Sequence, residues 1–341
     1  MKAIVYNKPG DGKLTDIPYP VCGDNQIIIK IEACGICKGA ELGHATTGTG
    51  LAKYPVVPGH EFAGTVHEIG KNVTKFKVGD RVTADNTVLC GECYYCMRDQ
   101  PLYCDHFGSL GHNINGGFAE YVLVDKEKVF AIPDSMSFNE AAIIESVSCC
   151  IHAVDMIHPA CGENILILGT GSNGIILAQL LKASGALSVT AMGSKDAKLK
   201  LLNEYGIDTI KMDRNDYSVH EAEIKKRFPH GLDAIVDTTA SPELVSKCFK
   251  LLKKGGRMVQ YGVFAKGAHM DIDCFDLFLR ELQYYGTCSQ THCFGRAIDY
   301  VNAGIVKLDK LVTHEFPLSD YFKAIDITAN DRDAMKIIIH P

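Results

Sequence analysis

Residues 165–185 read ILILGTGSNGIILAQLLKASG, and this stretch decides the fold class. An apolar run typical of a buried strand leads into three glycines spaced G-x-G-x-x-G, and an apolar helix-like run follows. The first glycine permits a tight turn, the second lets the backbone approach a pyrophosphate, and the third lets the helix pack closely on the strand. Because the strand and the helix stand where this motif requires them, we predict a dinucleotide site formed by Gly169, Gly171, Ser172, Asn173 and Gly174.

The chain around this turn alternates between apolar strands and helices. Strands are predicted at NILIL, SVTAM, DTIKM, AIVDTT, RMVQYGV and LQYYGT, all between residues 164 and 287. Strands that are apolar throughout and separated by helices indicate a parallel sheet covered on both faces. We therefore predict a doubly wound α/β domain over residues 146–286.

The flanking regions have a different pattern. Up to about residue 130 the chain shows short, partly alternating strands and Gly/Pro turns, which predict a β-rich domain. Ser137 and Glu140 form a capping box before an apolar helix. The segments VTHEFPL and AMKIIIHP near the C-terminus resemble strands that return to the first domain. The β-rich domain is thus expected to comprise residues 1–145 and 287–341, with the parallel domain inserted between them.

The end of the second predicted strand indicates which dinucleotide binds. A site specific for NAD usually places an acid there, whereas this chain has Gly193 followed by Ser194 and Lys195. A donor and a positive charge suit a 2′-phosphate, so NADP(H) is predicted in preference to NAD(H). Arg214 could add a second charge, although Asp213 beside it counts against this. The alternative is a solvated turn with an incidental lysine.

Four cysteines within residues 90–104 follow the spacing C-x2-C-x2-C-x7-C. Four thiolates this close can complete a tetrahedral shell around Zn²⁺ and leave no position for substrate, which indicates a structural site. An iron–sulfur cluster is the rival interpretation. The predicted ligands are Cys90, Cys93, Cys96 and Cys104.

A second, catalytic metal would need ligands that leave one position open. Cys37, His60, Glu61 and Glu145 are the candidates. Glu145 is informative because a carboxylate inside an apolar helix is costly unless it is paired or bound to a metal. Cys149, one helical turn further on, is a rival ligand.

A competing interpretation treats Cys34 and Cys37 as a C-x-x-C redox dithiol.

Composition restricts the other function classes. The 341-residue chain has 46% hydrophobic and 22% charged residues and a formal net charge of −6, with no basic run. Nucleic-acid and anionic-membrane partners are therefore not expected. We see no signal peptide and no apolar stretch of membrane-spanning length, so a cytoplasmic protein is expected. That compartment keeps thiols reduced, so a disulfide framework is not expected for the fourteen cysteines. We expect one metal-binding segment and, for the other cysteines, isolated thiols in the core.

Taken together, GHEFAGTVHEIG, the four-cysteine segment, GGFAEY and the strand–GxGxxG–helix unit resemble the zinc-dependent medium-chain alcohol dehydrogenases over the whole chain. The run AAIIESVSCCIHA resembles the polyol (sorbitol and xylitol) dehydrogenase branch, in which a glutamate replaces a cysteine ligand. The resemblance implies a GroES-like catalytic domain and a Rossmann coenzyme domain. It also implies a catalytic zinc on Cys37, His60 and Glu145, with Glu61 as an adjacent carboxylate that exchanges with water.

The segment after Cys37 departs from the family pattern C-G-x-C-G-[ST]-D-x-H. The hydroxyl that helps relay the proton is absent at Gly39, the acid is absent at Ala40, and Leu42 stands at the histidine position. The proton relay is therefore left open, with Glu145 and metal-bound water as the default and Glu41 or His44 as possible substitutes.

The resemblance implies hydride transfer between NADP(H) and a sugar alcohol or ketose, assisted by one of two zinc ions per chain. A dehydrogenase of simple secondary alcohols or diols is the first alternative. A non-catalytic, zinc-stabilised dinucleotide-binding regulator is the second. The family also implies a homo-oligomer, either a dimer or a tetramer.

Overall fold

A computed structural model describes residues 1–341, which form two compact units. The first unit comprises Met1–Ser148, Thr291–Gly304 and Leu308–Pro341, and the second comprises Cys149–Gln290 and Ile305–Lys307. The strands are β1 Lys2–Tyr6, β2 Gly12–Asp16, β3 Gln26–Gly35, β4 Glu61–Ile69, β5 Arg81–Ala84, β6 Thr87–Val88, β7 Gly108–Ser109, β8 Tyr121–Asp125, β9 Val129–Ala131, β10 Asn164–Leu168, β11 Ser188–Gly193, β12 Asp208–Lys211, β13 Leu232–Asp237, β14 Leu252–Gln260, β15 Gln283–Gly286, β16 Val312–Pro317 and β17 Lys336–His340.

The helices are α1 Lys38–Ala45, α2 Phe138–Ile157, α3 Ser172–Ala183, α4 Asp196–Glu204, α5 Tyr217–Arg227, α6 Pro242–Phe249, α7 Cys274–Leu279, α8 Phe294–Asn302 and α9 Tyr321–Asn330. None of them combines the length and the apolar character that a membrane-spanning helix needs.

The first unit is built on a seven-stranded sheet. Its strands run in the order β16-β17-β3-β4-β5-β9, and β8 also pairs with β3. The central strand β3 contains a run of buried isoleucines that alternate between the two faces of the sheet, so both faces of this strand are covered. β17 pairs antiparallel with β3, so the C-terminal segment does return to this β-rich unit.

The second unit contains a six-stranded parallel sheet in the order β12-β11-β10-β13-β14-β15. This is the strand order of a doubly wound dinucleotide fold. The fold class predicted from the sequence, a GroES-like β-rich domain plus a Rossmann parallel sheet, is confirmed.

Two glycines of the fingerprint are required by the backbone itself. Gly169 has φ +106°, a conformation that residues with a Cβ rarely adopt. A Cβ added to Gly174 would lie 2.3 Å from the carbonyl oxygen of Gly169, so a larger residue would push α3 away from β10. The turn therefore brings the free N–H groups at the start of α3 to the carboxyl end of the sheet.

The predicted capping box opens α2. The Ser137 hydroxyl accepts from the Glu140 N–H at 3.2 Å, and the Glu140 carboxylate accepts from the Ser137 N–H at 2.9 Å. This fixes the start of the helix that carries Glu145 and Ser146.

The expectation that the remaining cysteines are core thiols is wrong for part of the set. Cys34, Cys150, Cys248 and Cys293 are buried, but Cys161, Cys274 and Cys288 are exposed. Cysteine behaves as a small hydrophobe in a core, yet nothing prevents it from standing singly on a surface.

Candidate metal centres and dinucleotide site

The four cysteines of residues 90–104 converge in a short irregular segment. Their sulfur atoms all lie within 4.8 Å of one another, with 3.5 Å between Cys90 and Cys104 and 4.0 Å between Cys90 and Cys96. A zinc tetrahedron with Zn–S bonds of about 2.3 Å has S···S edges of about 3.8 Å. A disulfide would need sulfurs about 2.0 Å apart. The spacing fits a four-coordinate metal.

The thiols of this cluster differ in acidity. The backbone N–H groups of Cys96 and Asp105 lower the pKa of Cys93 to about 6. Desolvation, followed by the hydrogen bond with Cys93, raises the pKa of Cys96 to about 12. One thiol thus gives up its proton readily while its neighbour retains one. A metal that binds all four would displace the remaining protons.

A second cluster forms where β3 and β4 pair. Gly35 lies opposite Glu61 in the register, so Cys37, just after β3, is brought beside His60, just before β4. Ligand atoms of Cys37, His60 and Glu61 all lie within 4.8 Å of one another. Thiolate, imidazole and carboxylate are the ligand types found in zinc sites, and three of them leave room for a substrate.

Glu61 has strong partners of its own. Both of its carboxylate oxygens lie 2.5 Å from the Lys336 ammonium, and one accepts a 2.8 Å hydrogen bond from the Ser146 hydroxyl. Lys336, at the start of β17, is itself 2% exposed. Burial acts to raise the pKa of Glu61, but Lys336 with His60 and Ser146 outweighs it and holds the pKa below its usual value. Glu61 is therefore an ionised, anchored carboxylate beside the cluster.

Glu145 lies in the buried stretch of α2, with 7% of its surface exposed. Its negative charge contributes to raising the pKa of both His60 and Lys336, so the charge of Glu145 acts on this centre. Cys149, the rival ligand, is half-buried one turn further along α2.

The charges of the centre fit a divalent cation. Glu41, Glu61, Glu145 and the thiol of Cys37 bring acidic groups together, and Lys336 directly neutralises Glu61. Buried negative charge without a counter-ion is costly.

The pKa of His60 is shifted by these neighbouring acidic groups. Burial acts to lower the pKa of His60, but the nearby charge of Glu41, the Cys37 thiol beside the ring and the charge of Glu145 outweigh it. The resulting pKa lies well above the usual value. A protonated His60 thus supplies positive charge that a bound metal ion would otherwise supply.

His44 is not placed to act as an exposed proton relay. It is fully buried, its Nδ1 lies 3.1 Å from the Tyr54 hydroxyl, and its Nε2 lies 3.0 Å from the carbonyl oxygen of Gly111. Burial lowers its pKa, so the ring is neutral at pH 7. Both ring nitrogens are already engaged in holding α1 to neighbouring segments.

The dinucleotide turn is assembled as the fingerprint predicts. Gly171 is the N-cap of α3, and the N–H of Gly169 donates to the carbonyl of Met192, which places Gly193 at the adjacent strand end. A Cβ on Gly193 would lie 2.2 Å from the Thr170 hydroxyl oxygen. The absence of an acid at position 193 is therefore also a packing requirement.

Arg214 lies beside Ser194, one of the residues predicted to bind the 2′-phosphate. Its Nε donates to the Ser194 hydroxyl at 3.1 Å. The neighbouring Asp213 carboxylate accepts from the backbone N–H groups of Asn215 and Asp216. The Asp213 carboxylate therefore holds the turn that follows it.

Several residues at the two sites gave no clear signal in the sequence. Lys336 could have been suspected as a lysine opening the apolar run KIIIH, but its partner is 275 positions away. His112 has its ring 4.9 Å from that of His60, and burial lowers its pKa to about 3. Ser146 and Thr170 show no local pattern at all.

The sequence and the fold were compared with those of known proteins, and two family models match the chain. Residues 23–134 match the alcohol dehydrogenase GroES-like domain, and residues 174–303 match the zinc-binding dehydrogenase family. The chain is 34% identical to D-arabinitol dehydrogenase 1 of Uromyces fabae, covering 100% of this chain and 97% of that protein. It is 30% identical to sorbitol dehydrogenase of Halalkalibacterium halodurans, covering 100% and 99%.

Among solved structures, a putative zinc-binding dehydrogenase from Sinorhizobium meliloti 1021 bound to NADP superposes with a TM-score of 0.91. It is 29% identical to this chain, and the match covers 100% of this chain and 99% of that protein.

Proposed function

Because the chain belongs to the zinc-dependent medium-chain dehydrogenases, in their polyol dehydrogenase-like branch, we propose that it transfers a hydride between NADP(H) and a sugar alcohol or ketose. The chain is an oxidoreductase of the alcohol dehydrogenase type, and its relatives over the full length are named dehydrogenases. The proposal assigns the catalytic domain to residues 1–145 and 287–341 and the coenzyme domain to residues 146–286.

The observation that carries this proposal is the cluster of Cys37, His60 and Glu61 with Lys336 behind it. Cys37, His60 and Glu145 are proposed as the protein ligands of a catalytic zinc. Zinc bound there supplies a Lewis acid for the alcohol or carbonyl oxygen. Because Lys336 and Ser146 hold Glu61, the proposal treats this carboxylate as a group adjacent to the zinc ligands, so that a bound zinc would keep one position for substrate.

The substrate class is supported by the arabinitol and sorbitol dehydrogenases among the relatives. A panel of four- to six-carbon polyols, the matching ketoses and short secondary alcohols tests it directly. The proposal expects the highest kcat/KM for a polyol–ketose pair. A clear preference for simple secondary alcohols would replace it with the first alternative.

We expect two zinc ions per chain with different resistance to chelation. The four-cysteine site is closed, whereas the centre at Cys37 keeps an open position, so mild chelation should remove one ion and abolish activity. Elemental analysis before and after chelation, with activity assayed in parallel, measures this. A single zinc, or full activity after one ion has been removed, would contradict the catalytic assignment.

NADP+ is expected to give a higher kcat/KM than NAD+, because Ser194, Lys195 and Arg214 can bind the 2′-phosphate. Replacing Lys195 or Arg214 with alanine should lower kcat/KM for NADP+ by about 10- to 100-fold each, as expected for a lost hydrogen bond to a charged group. The value for NAD+ should stay unchanged. Lys225→Ala, on α5, is the matched control. Equal use of both cofactors by the unmodified protein would refute this proposal.

The packing of Thr170 determines how a cofactor switch should be built. Gly193→Asp alone would collide with the Thr170 side chain, whose Oγ1 and Cγ2 would lie 2.2 and 2.5 Å from the new Cβ. The single variant should therefore use both cofactors poorly. Thr170→Gly removes these two atoms and the Thr170 Cβ, which would lie 2.9 Å from the new Cβ, so Gly193→Asp combined with Thr170→Gly should shift preference towards NAD+.

A homo-oligomer is also proposed. Strand β15 is an open edge of the parallel sheet, and α7 nearby in sequence exposes Phe275, Phe278 and Leu279. Unpaired edges and exposed apolar side chains of this kind are commonly covered by a second subunit.

A further inference from the structure

The carboxylate of Glu41 occupies an unusual place at the candidate metal centre. Glu41 stands in the first turn of α1 and is fully buried. Its Oε2 accepts a 2.7 Å hydrogen bond from the backbone N–H of Cys37. Its Oε1 has no hydrogen-bond partner and lies 3.6 Å from Nδ1 of His60, which also has none.

Two unpartnered polar atoms that face each other inside a protein call for a physical reason. A buried carboxylate oxygen or ring nitrogen without a hydrogen bond is costly, because it has lost its bonds to water and gained none in the protein. An N–H···O⁻ hydrogen bond measures about 2.7–2.9 Å, so a shift of less than 1 Å would join Glu41 to His60. The pair is thus close to an arrangement in which both atoms are satisfied.

The surroundings make His60 the natural partner of the Glu41 charge. The groups on which that charge acts include Tyr6, Tyr321 and His44. Burial raises the pKa of both tyrosines and lowers that of His44, so all three are neutral near pH 7. Neutral groups do not offset a carboxylate charge, whereas an imidazole that donates from Nδ1 does so in part.

The position of Glu41 also answers a question left by the sequence. The family acid is absent at Ala40, and a Cβ added to Gly39 would meet nothing within 4 Å. Glu41 is four residues after Cys37, one helical turn away, and helical side chains lean back towards the N-terminus. Its carboxylate therefore reaches the start of α1, where the helix dipole favours negative charge.

We propose that Glu41 is the positioning residue of the metal-ligating histidine: it accepts the Nδ1–H of His60 and so directs Nε2 to the metal. Through its second oxygen it also fixes the backbone of Cys37, so one side chain orients two ligands. Ligating histidines are commonly oriented in this way, since the bond at one ring nitrogen sets the proton and the direction of the other. This inference rests on the catalytic zinc of the proposed function.

Glu41→Gln tests the inference because it changes the charge and hydrogen-bonding pattern with little change in shape. The amide has one carbonyl, which can keep the Cys37 N–H bond, and its NH₂ group then faces Nδ1 of His60. Nδ1 must become an acceptor, which moves the ring proton to Nε2, the nitrogen that the metal needs. Zinc affinity at this site should fall about 10- to 100-fold. Competition with a chromophoric chelator measures the dissociation constant.

The four-cysteine site is an internal reference, because its zinc should be retained unchanged in the same molecule. Glu163→Gln, which disrupts the ion pair with Arg257 in the second unit, is the matched control and should leave both zinc affinities unchanged. The Tm of the chelated Glu41→Gln protein should stay close to that of the chelated unmodified chain.

The possible outcomes distinguish a positioning role of Glu41 from a structural role. Unchanged zinc affinity in Glu41→Gln would overturn the inference. A lowered Tm of the chelated protein without a change in affinity would assign Glu41 a structural role instead. If the unmodified chain binds zinc only at the four cysteines, the proposed function fails and this inference fails with it.

A measurement on the unmodified protein does not depend on the variant folding. With ¹⁵N-labelled histidine, the zinc-loaded protein should show a protonated Nδ1 of His60 with slowed exchange. A proton on Nε2 instead would contradict the assignment.

Discussion

Lys336→Met is expected to destabilise the zinc-loaded protein by about 3–5 kcal/mol, because it leaves the buried Glu61 carboxylate without its cation. The Ser146 hydroxyl remains as a hydrogen-bond donor, but it brings no charge. The free energy of unfolding from urea denaturation measures the effect. Activity should also fall, since a released Glu61 can move towards Cys37 and His60 and compete for the position meant for substrate.

Two further variants isolate the cause. Lys336→Met combined with Glu61→Gln removes the unpaired charge, and this double variant should recover most of the lost stability. Lys247→Met disrupts an exposed pair with Glu243 on α6 and should cost less than about 1 kcal/mol. If Lys336→Met costs no more than Lys247→Met, the buried pair does not anchor the centre.

Cys37→Ser is expected to lower kcat by about three orders of magnitude and to reduce the zinc content from two ions to one. The reason is that a metal contributes several kcal/mol of transition-state stabilisation, and each 1.4 kcal/mol is worth about a factor of ten in rate. Serine offers a hydroxyl in place of the thiolate that zinc prefers. Steady-state kinetics and elemental analysis of the same preparation give both values.

Cys34→Ser is the matched comparison, because it makes the same chemical change three residues earlier. Cys34 lies on β3, is fully buried, and burial raises the pKa of its thiol well above the usual value. We expect lower stability from a buried hydroxyl, about 1–3 kcal/mol if it finds no partner, but retained activity and two zinc ions. Equal loss of activity in both variants would support the redox dithiol over the metal ligand.

Much of the fold could be predicted from the sequence because its signals are local. The fingerprint from Gly169 to Gly174 lies in a strand–turn–helix unit, and its glycines are required by φ and close approach within a few residues. The four cysteines of residues 90–104 are likewise close in the chain, so their spacing alone predicts that their sulfurs converge. Apolar strands separated by helices were sufficient to predict the parallel sheet.

The arrangement of the candidate site was harder to predict from the sequence. The sequence nominated Cys37, His60, Glu61 and Glu145, but it gave Glu61 no partner and left Glu41 as one of several possible relay groups. The structure brings Lys336 to Glu61 across β17, β3 and β4, and Glu41 to within 3.6 Å of His60. It also shows that His44 is buried with both ring nitrogens engaged.

By itself, then, the amino-acid order determined what short-range geometry controls: a dinucleotide turn, a four-cysteine metal segment, and the residue types of a second metal centre. The tertiary structure decided which distant residues meet: Lys336 with Glu61, Arg214 with Ser194, and Thr170 with Gly193 are neighbours through sheet pairing. The physical reason is that ion pairs and steric contacts between distant segments leave no periodic pattern in the chain. They depend on strand register, because a slip of one residue would turn the side chains of a strand to the opposite face of the sheet.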